Sequence, residues 1–399
     1  MIFNTYWFIC FGAVFFPVYW LLIRPGWRMV WLLAGCGVFH FHFAGPAGVI
    51  PIAIIGLVTY LVGLTRQRAL CAAGVVVCVA ALCFYKYALF FCRDLLGAFA
   101  PQTAERWATQ MRSLHPGAAP LAISFFAFEF VHYLVEVMRG GKPIRRPADF
   151  ALFAIHFPSL VAGPIKRYQD YLPSLHAGLA GVTVDDVAAG AQRIALGLVK
   201  KIVLADNLTL AINFYGDGFA GLTRGQAWLF LAAISARILL DFSGYTDMAI
   251  GLSRMLGVHL PENFNYPYLA TSLQDFWQRW HISLTSWIRD YVYIPLGGNR
   301  HGVLRKLANA MIVFALCGLW HGPAWHFVLW GLWHGVGLVI NATYATVLGP
   351  VGRGLAAVFA RLPALGWAVT LVFVSFGWLL FFYELAPACT MAAKLLAFP

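Results

Sequence analysis

Residues 319–335 read LWHGPAWHFVLWGLWHG, inside a longer run, 307–352, that holds no Asp, Glu, Lys or Arg. One membrane span needs roughly 20 apolar residues, so this run is too long for one pass and needs a break. Gly322-Pro323 supplies it, because Pro323 has no N–H and disfavours helical geometry at the residue before it. A helix from Leu307 is expected to stop at His321 after about 14 residues, roughly 21 Å at 1.5 Å each. That is short of the roughly 30 Å hydrocarbon core. A second helix over 324–346 is long enough to cross. His321 is thereby expected deep inside the protein. Just upstream, 275–302 read DFWQRWHISLTSWIRDYVYIPLGGNRHG, with His281 among tryptophans. Charges and aromatics alternate there, so it is not a simple span. It belongs at the cytoplasmic face or dips into a bundle.

The rest of the 399 residues has the same character. Hydrophobic residues make up 61% and charged ones only 11%, against about 25% charged in soluble domains. Too little interior exists in a soluble protein of this size to hide that apolar surface. Roughly ten stretches approach span length, and none alternates as barrel strands would. The expected class is all-α: a polytopic integral membrane helical bundle, one domain over 1–399, with re-entrant segments. The net charge of +12 sits between apolar runs, where it fits lipid headgroups and topology signals rather than nucleic acid. Eight scattered cysteines, without a CxxC pair, read as small hydrophobes.

Along the chain, 2–23 form a first span rather than a cleaved signal, since a basic n-region and an A-x-A site are lacking. Residues 29–64, broken at Gly45-Pro46, suit a helical hairpin. Further spans are expected over 69–92, 118–138, 187–214, 226–252 and 364–383. Residues 150–165, stopped by Gly163-Pro164, are too short to cross and read as re-entrant. The loops with Arg24 and Arg28, Arg66 and Arg68, and 139–146 fall on one side. Positive charge marks that side as cytoplasmic and puts the N-terminus outside.

An ionisable side chain at membrane depth is a functional candidate. Neutral imidazole takes a proton from a hydroxyl near neutral pH, which suits His321 for general-base work; a packing histidine beside a kink is the plain alternative. His281 reads either as part of an interfacial amphipathic helix, with Asp275 and Arg279 paired at i, i+4 and Arg289-Asp290 in the same segment, or as a second polar group facing the same cavity. Glu129, His132 and Glu136 share one helix face, as a proton relay or as polar glue between helices. Arg237 and Asp241 are also i, i+4 and are expected to pair. Asp247 and Asn263 are polar in apolar or aromatic surroundings. His321, His326 and His334 point three ways around a helix, which is not a metal spacing; His326 and His334 read as packing groups. Nucleotide-binding and serine-hydrolase motifs are absent from the sequence.

The blocks PLAISFFAFEFVHYLVEVMRG (from Pro120), HFPSLVAGPIKRY (from His156), VKKIVLADNL (from Val199) and DFSGYTDMAIGLSRMLGVHLPENFNYPYLATSLQDFWQRWHISLTSWIRDYVYIPLGGNR (from Asp241) together resemble the membrane-bound O-acyltransferase family, most of all its alginate O-acetylation branch. The likeness covers about 120–378. It implies a multi-helix membrane fold with a central tunnel, His321 as the essential histidine and His281 as its partner. It implies acyl transfer to a hydroxyl, with Trp277, Trp280, Trp320, Asn263 and Arg289 lining the substrates and Gly163, Pro164, Asp241, Gly244, Asp247, Gly322 and Pro323 shaping the tunnel. No tightly bound cofactor or metal is expected. The donor would be acetyl-CoA or a carrier-bound acyl thioester on the cytoplasmic side of the inner membrane. The acceptor would be a cell-surface polysaccharide, with an extracytoplasmic acetyltransferase partner. The rivals are D-alanyl transfer to teichoic acid, a proton-coupled transporter or exporter built on Glu129, His132 and Glu136, and a scaffold for a secreted acetyltransferase.

Overall fold

A computed structural model describes residues 2–114, 119–216 and 219–397; the start of the span expected over 118–138 lies outside them. Among the described residues the regular structure is helical, apart from one isolated antiparallel bridge, Phe264 to Trp280. The all-α membrane class therefore holds. Five described helices are long and apolar enough to cross a bilayer: Pro25–Thr65, Arg68–Leu96, Arg224–Arg254, Gly302–His321 and Pro363–Phe382. A sixth arises if Trp325–Val347 and Gly349–Arg361, bent by 118°, form one span. This is fewer than the roughly ten expected. Tyr6–Leu21 and Ile123–Met138 have only 16 residues each, about 24 Å. Outward-facing side chains such as Leu57, Val76, Leu210 and Ile340 are more than half exposed, as a lipid-facing surface requires.

Two compact units share the chain. The first comprises Met1–Gly197 and Tyr245–Pro261. Its long helix Pro25–Thr65 is broken at one residue, Gly45 (φ 62°, ψ 175°). The break falls where the sequence placed it, at a single non-helical residue, and the stretches on its two sides line one cavity, Gly37 and His40 together with Ile52, Gly56 and Tyr60. Residues 147–155 form a short helix, Pro147–Ile155, followed by turns that lead to Gly163-Pro164, so this segment does not cross. The three polar groups on Ile123–Met138 each meet one stretch of chain. Glu129 accepts from the buried Lys166 ammonium at 2.5 Å, His132 Nε2 accepts from the Tyr168 N–H at 3.2 Å, and Glu136 accepts from Gln169 Nε2 at 3.0 Å. That order, 129–132–136 against 166–168–169, is glue between a helix and the KRYQ segment.

The second unit comprises Leu198–Gly244 and Glu262–Pro399. Its centre is the pair Gly302–His321 and Trp325–Val347. A Cβ at Gly318 would come within 2.1 Å of the Phe327 carbonyl oxygen, and one at Gly331 within 2.0 Å of that of Phe314. Only glycine lets the two backbones meet there. The first helix ends at His321, as Gly322-Pro323 dictated, but it starts at Gly302 and has 20 residues, about 30 Å. It is a full-length helix, not a half-length one. Arg305 and Lys306 sit in its first turns instead of before it, and Asn309 Nδ2 holds the preceding glycine turn through the Leu296 and Gly298 carbonyls at 3.2 Å each.

Candidate active site

His281 does not ride one continuous amphipathic helix. Leu273–Arg279 stops before it and Ile282–Ile288 starts after it. Ser272 begins the first helix by accepting from the Asp275 N–H, and Asp275 then pairs with Arg279 at 2.7 Å, the expected i, i+4 contact. The break between the helices comes from a distant stretch. Residues 263–265 run antiparallel to 279–282: Phe264 bridges Trp280, the Asn265 N–H donates to the Arg279 carbonyl, and the Ile282 N–H donates to the Asn263 carbonyl. This clamp holds His281 at φ +44°, a left-handed conformation that costs a side-chain-bearing residue about 1–2 kcal/mol.

The same clamp decides where the imidazole proton sits. Asn263 Oδ1 receives the Ser283 N–H at 3.2 Å and the Ser283 hydroxyl at 2.6 Å. A backbone N–H can only donate, so this atom is the oxygen. His281 Nδ1 lies 3.3 Å from it and must donate. The proton is on Nδ1, and Nε2 carries the lone pair. His281 is 1% exposed, and Nε2 has no hydrogen-bond partner among the described residues. The ring is positioned by Phe242, 4.7 Å away edge-on.

Trp320 joins the two histidines. Its ring centre lies 6.2 Å from that of His281 and 4.7 Å from that of His321. His321 is the last residue of its helix and is half-buried. Trp330 and Phe381 stand edge-on to it at 5.0 and 5.1 Å. Gly322 leaves the helix with extended backbone, and Phe327 lies where its Cβ would be. A cavity of about 310 Å³ opens in this unit, lined by residues of the helices on either side of His281 and of the helix that ends at His321. Trp277, Leu284, Phe314 and Cys317 line it, together with the polar groups Arg289 and Lys306. Cys317 is one turn before His321 on the same helix.

The structure thus gathers His281, His321, Trp277, Trp320, Asn263, Gly322 and Pro323, with Arg289 at the cavity. Trp280 is also near, but its ring is enclosed by Tyr268, Phe264, Phe276 and Trp378 and serves as packing. Gly244 is buried in Arg224–Arg254. Asp241 does not pair with Arg237. It takes Lys201 at 2.7 Å, while Arg237 Nε donates to Thr209 at 3.1 Å. Gly163, Pro164 and Asp247 belong to the other unit, where Asp247 pairs with Arg193 at 2.6 Å and Gly163 is packed on Ser159. Two residues read as packing groups remain so. His326 bonds the Leu380 carbonyl at 3.0 Å, and His334 is enclosed by Trp277, Trp330 and Phe276. Sequence reasoning missed Ser283, Phe242 and Phe381. Only Ser283, two residues beyond His281, gave a local signal.

The family model "MBOAT, membrane-bound O-acyltransferase family" matches residues 144–385, and the chain belongs to that family. Among its relatives is the probable alginate O-acetylase AlgI of Pseudomonas aeruginosa, 37% identical over 361 residues, which cover 89% of this chain and 64% of that one. The peptidoglycan O-acetyltransferase of Helicobacter pylori is 32% identical over 335 residues, 77% of this chain and 60% of that one. The teichoic acid D-alanyltransferase of Bacillus subtilis is 31% identical over 224 residues, 52% and 55% respectively. The chain spans less than two thirds of the length of each of these relatives.

Proposed function

We propose that this protein is a membrane O-acyltransferase that moves an acetyl group from a thioester donor to a hydroxyl of a cell-surface polysaccharide, or to an extracytoplasmic partner that completes the transfer. The observation that carries this reading is the placement of His281 and His321 against one ring, Trp320, on or between the helices that also line the 310 Å³ cavity. The names of the alginate and peptidoglycan relatives support acetyl over D-alanyl, since the D-alanyltransferase covers only half of the chain.

The cavity suits the arm of an acyl thioester, with apolar walls at Trp277, Leu284 and Phe314 and cations at Arg289 and Lys306 for the donor's phosphates. Acetyl-CoA and a carrier-bound thioester share that arm. On this reading the donor comes from the cytoplasmic side of the inner membrane. In the transfer, the acceptor oxygen attacks the thioester carbonyl carbon, the C–O bond forms and the C–S bond breaks. His321 takes the hydroxyl proton and returns it to the leaving thiolate. His281, with its lone pair on Nε2, orients the acceptor by accepting a hydrogen bond from a neighbouring hydroxyl, leaving the attacking hydroxyl's single proton to His321. That tautomer cannot polarise a carbonyl through Nε2.

The test is purified protein in lipid nanodiscs, supplied with radiolabelled acetyl-CoA and surface glycan extracted from a strain lacking the gene. We expect labelled O-acetyl glycan and stoichiometric free thiol. Thiol release and glycan labelling that are unaffected by His321→Ala would overturn the proposal.

A further inference from the structure

Four charged side chains of the second unit meet where hydrocarbon would be expected. Lys201 lies 2.6 Å from Asp206 and 2.7 Å from Asp241, and Arg237 donates to Thr209 and stands over the Phe382 ring at 5.0 Å. Arg237 and Asp241 occupy the middle of Arg224–Arg254, about 20 Å or more from either end at 1.5 Å per residue. They are not sealed in protein: the side chains of Asp241 and Asp206 are 36% and 41% exposed. Charges facing hydrocarbon at that depth cost several kcal/mol, and in membrane proteins such groups face the bundle interior or, where they stay exposed as here, a water-filled space. Lys201 lies in a π-helical segment, Val199–Ala205, a local widening frequent at functional sites.

The cluster adjoins the histidines by two routes within the unit. Asp241 precedes Phe242, whose ring abuts His281; Phe382 follows Phe381, whose ring abuts His321. The terminal guanidinium nitrogens of Arg237 have no hydrogen bond from the described residues, since only Nε is engaged. Alternating cations and carboxylates, with an aromatic ring beside them, form a surface that gives donors and acceptors to a polyhydroxylated chain and carries no net charge of its own. We propose that Lys201, Asp206, Arg237 and Asp241 line a hydrated chamber that receives the hydroxyl-bearing acceptor next to the histidine pair. This rests on the acyl-transfer reading.

Two cysteine variants at neighbouring positions test it, Thr209→Cys inside the cluster and Leu210→Cys, where the native side chain is 69% exposed. A permanently charged, membrane-impermeant methanethiosulfonate is added to proteoliposomes, and adduct at each position is read by peptide mass spectrometry, so the native cysteines do not interfere. The reagent needs a hydrated thiolate, so Thr209→Cys should react about tenfold faster or more than Leu210→Cys. Cellotetraose or a mannuronate tetrasaccharide, a neutral and an anionic probe, should slow that reaction; the more effective one reports the acceptor's charge. Equal, slow labelling at both positions would overturn the chamber. Fast labelling at Thr209→Cys that neither sugar slows would overturn its role as the acceptor site. Acetyl-CoA cleavage by the unsubstituted protein is followed in parallel. Its absence would count against acyl transfer itself, while labelling and protection report on the chamber regardless.

Discussion

Asn263→Ala separates the position of the His281 proton from the fold that surrounds it. In the native protein one oxygen, Asn263 Oδ1, accepts from His281 Nδ1, the Ser283 N–H and the Ser283 hydroxyl. Alanine removes all three acceptor contacts. The hydroxyl can rotate, and the imidazole can relieve its own orphaned donor by moving the proton to Nε2. The Ser283 N–H can do neither and loses its Asn263 acceptor, a hydrogen bond worth about 0.5–1.5 kcal/mol of stability. The chemical consequence is larger. With the proton on Nε2, the nitrogen without a partner becomes a donor and no longer accepts from an incoming hydroxyl. Because that acceptance orients the acceptor for attack, kcat should fall by about 10²-fold, the scale of a lost positioning contact, while the donor KM stays nearly constant. Asn263→Asp keeps an acceptor oxygen and should restore most of the rate. The assay is acetyl-CoA-dependent glycan labelling in nanodiscs, with a thermal-unfolding midpoint for each variant. Asn263→Ala with native kcat and a modestly lowered midpoint would refute the reasoning, for it would show that the tautomer does not matter.

His321→Ala should insert and unfold like the native protein yet lose transfer by about 10²–10⁴-fold, measured as labelled glycan per mole of purified protein. Arg289→Ala should raise the donor KM about tenfold with little change in kcat, as loss of one exposed phosphate contact worth about 1–2 kcal/mol predicts; dephosphorylated donor should narrow the difference. Lys166→Met strands Glu129 in the core of the first unit and should destabilise by about 3–5 kcal/mol, whereas Glu129→Leu with Lys166→Met should recover much of that; denaturant unfolding in detergent decides it. Gly331→Val drives a side chain into the Phe314 carbonyl and should lower the yield of folded, monodisperse protein on size-exclusion chromatography far more than Gly354→Val, where nothing lies within 4 Å of an added Cβ.

The legible parts of this molecule were those written in local chemistry. Pro323 has no N–H to give, so the helix had to end at His321, and it does. Gly45-Pro46 had to interrupt the preceding helix, and the non-helical residue is Gly45. The start of the His321 helix was misplaced because charge was read as a boundary. Arg305 and Lys306 are good helix formers, and nothing in their backbone stops a helix at Gly302. Apolar length alone does not tell a crossing helix from a short buried one such as Ile123–Met138, which has 16 residues.

Spacing reveals which residues share a face but not what lies opposite that face. Arg237 and Asp241 do share one, and at i, i+4 a mutual pair was the economical expectation. Lys201 approaches Asp241 from a helix 40 positions earlier in the chain and, being charged and flexible, takes the carboxylate at 2.7 Å; Arg237 is left to Thr209 and the ring of Phe382. The same limit governs His281. Residues 275–290 look like one amphipathic helix, and propensity alone would make them so. The antiparallel contact from 263–265 outcompetes it, breaks the helix at His281 and turns the imidazole onto Asn263. A histidine in an unbroken helix would have kept a free choice of tautomer. The left-handed turn, at about 1–2 kcal/mol, is offset by the bridge and leaves one nitrogen committed to Asn263, so that only the other is available for chemistry.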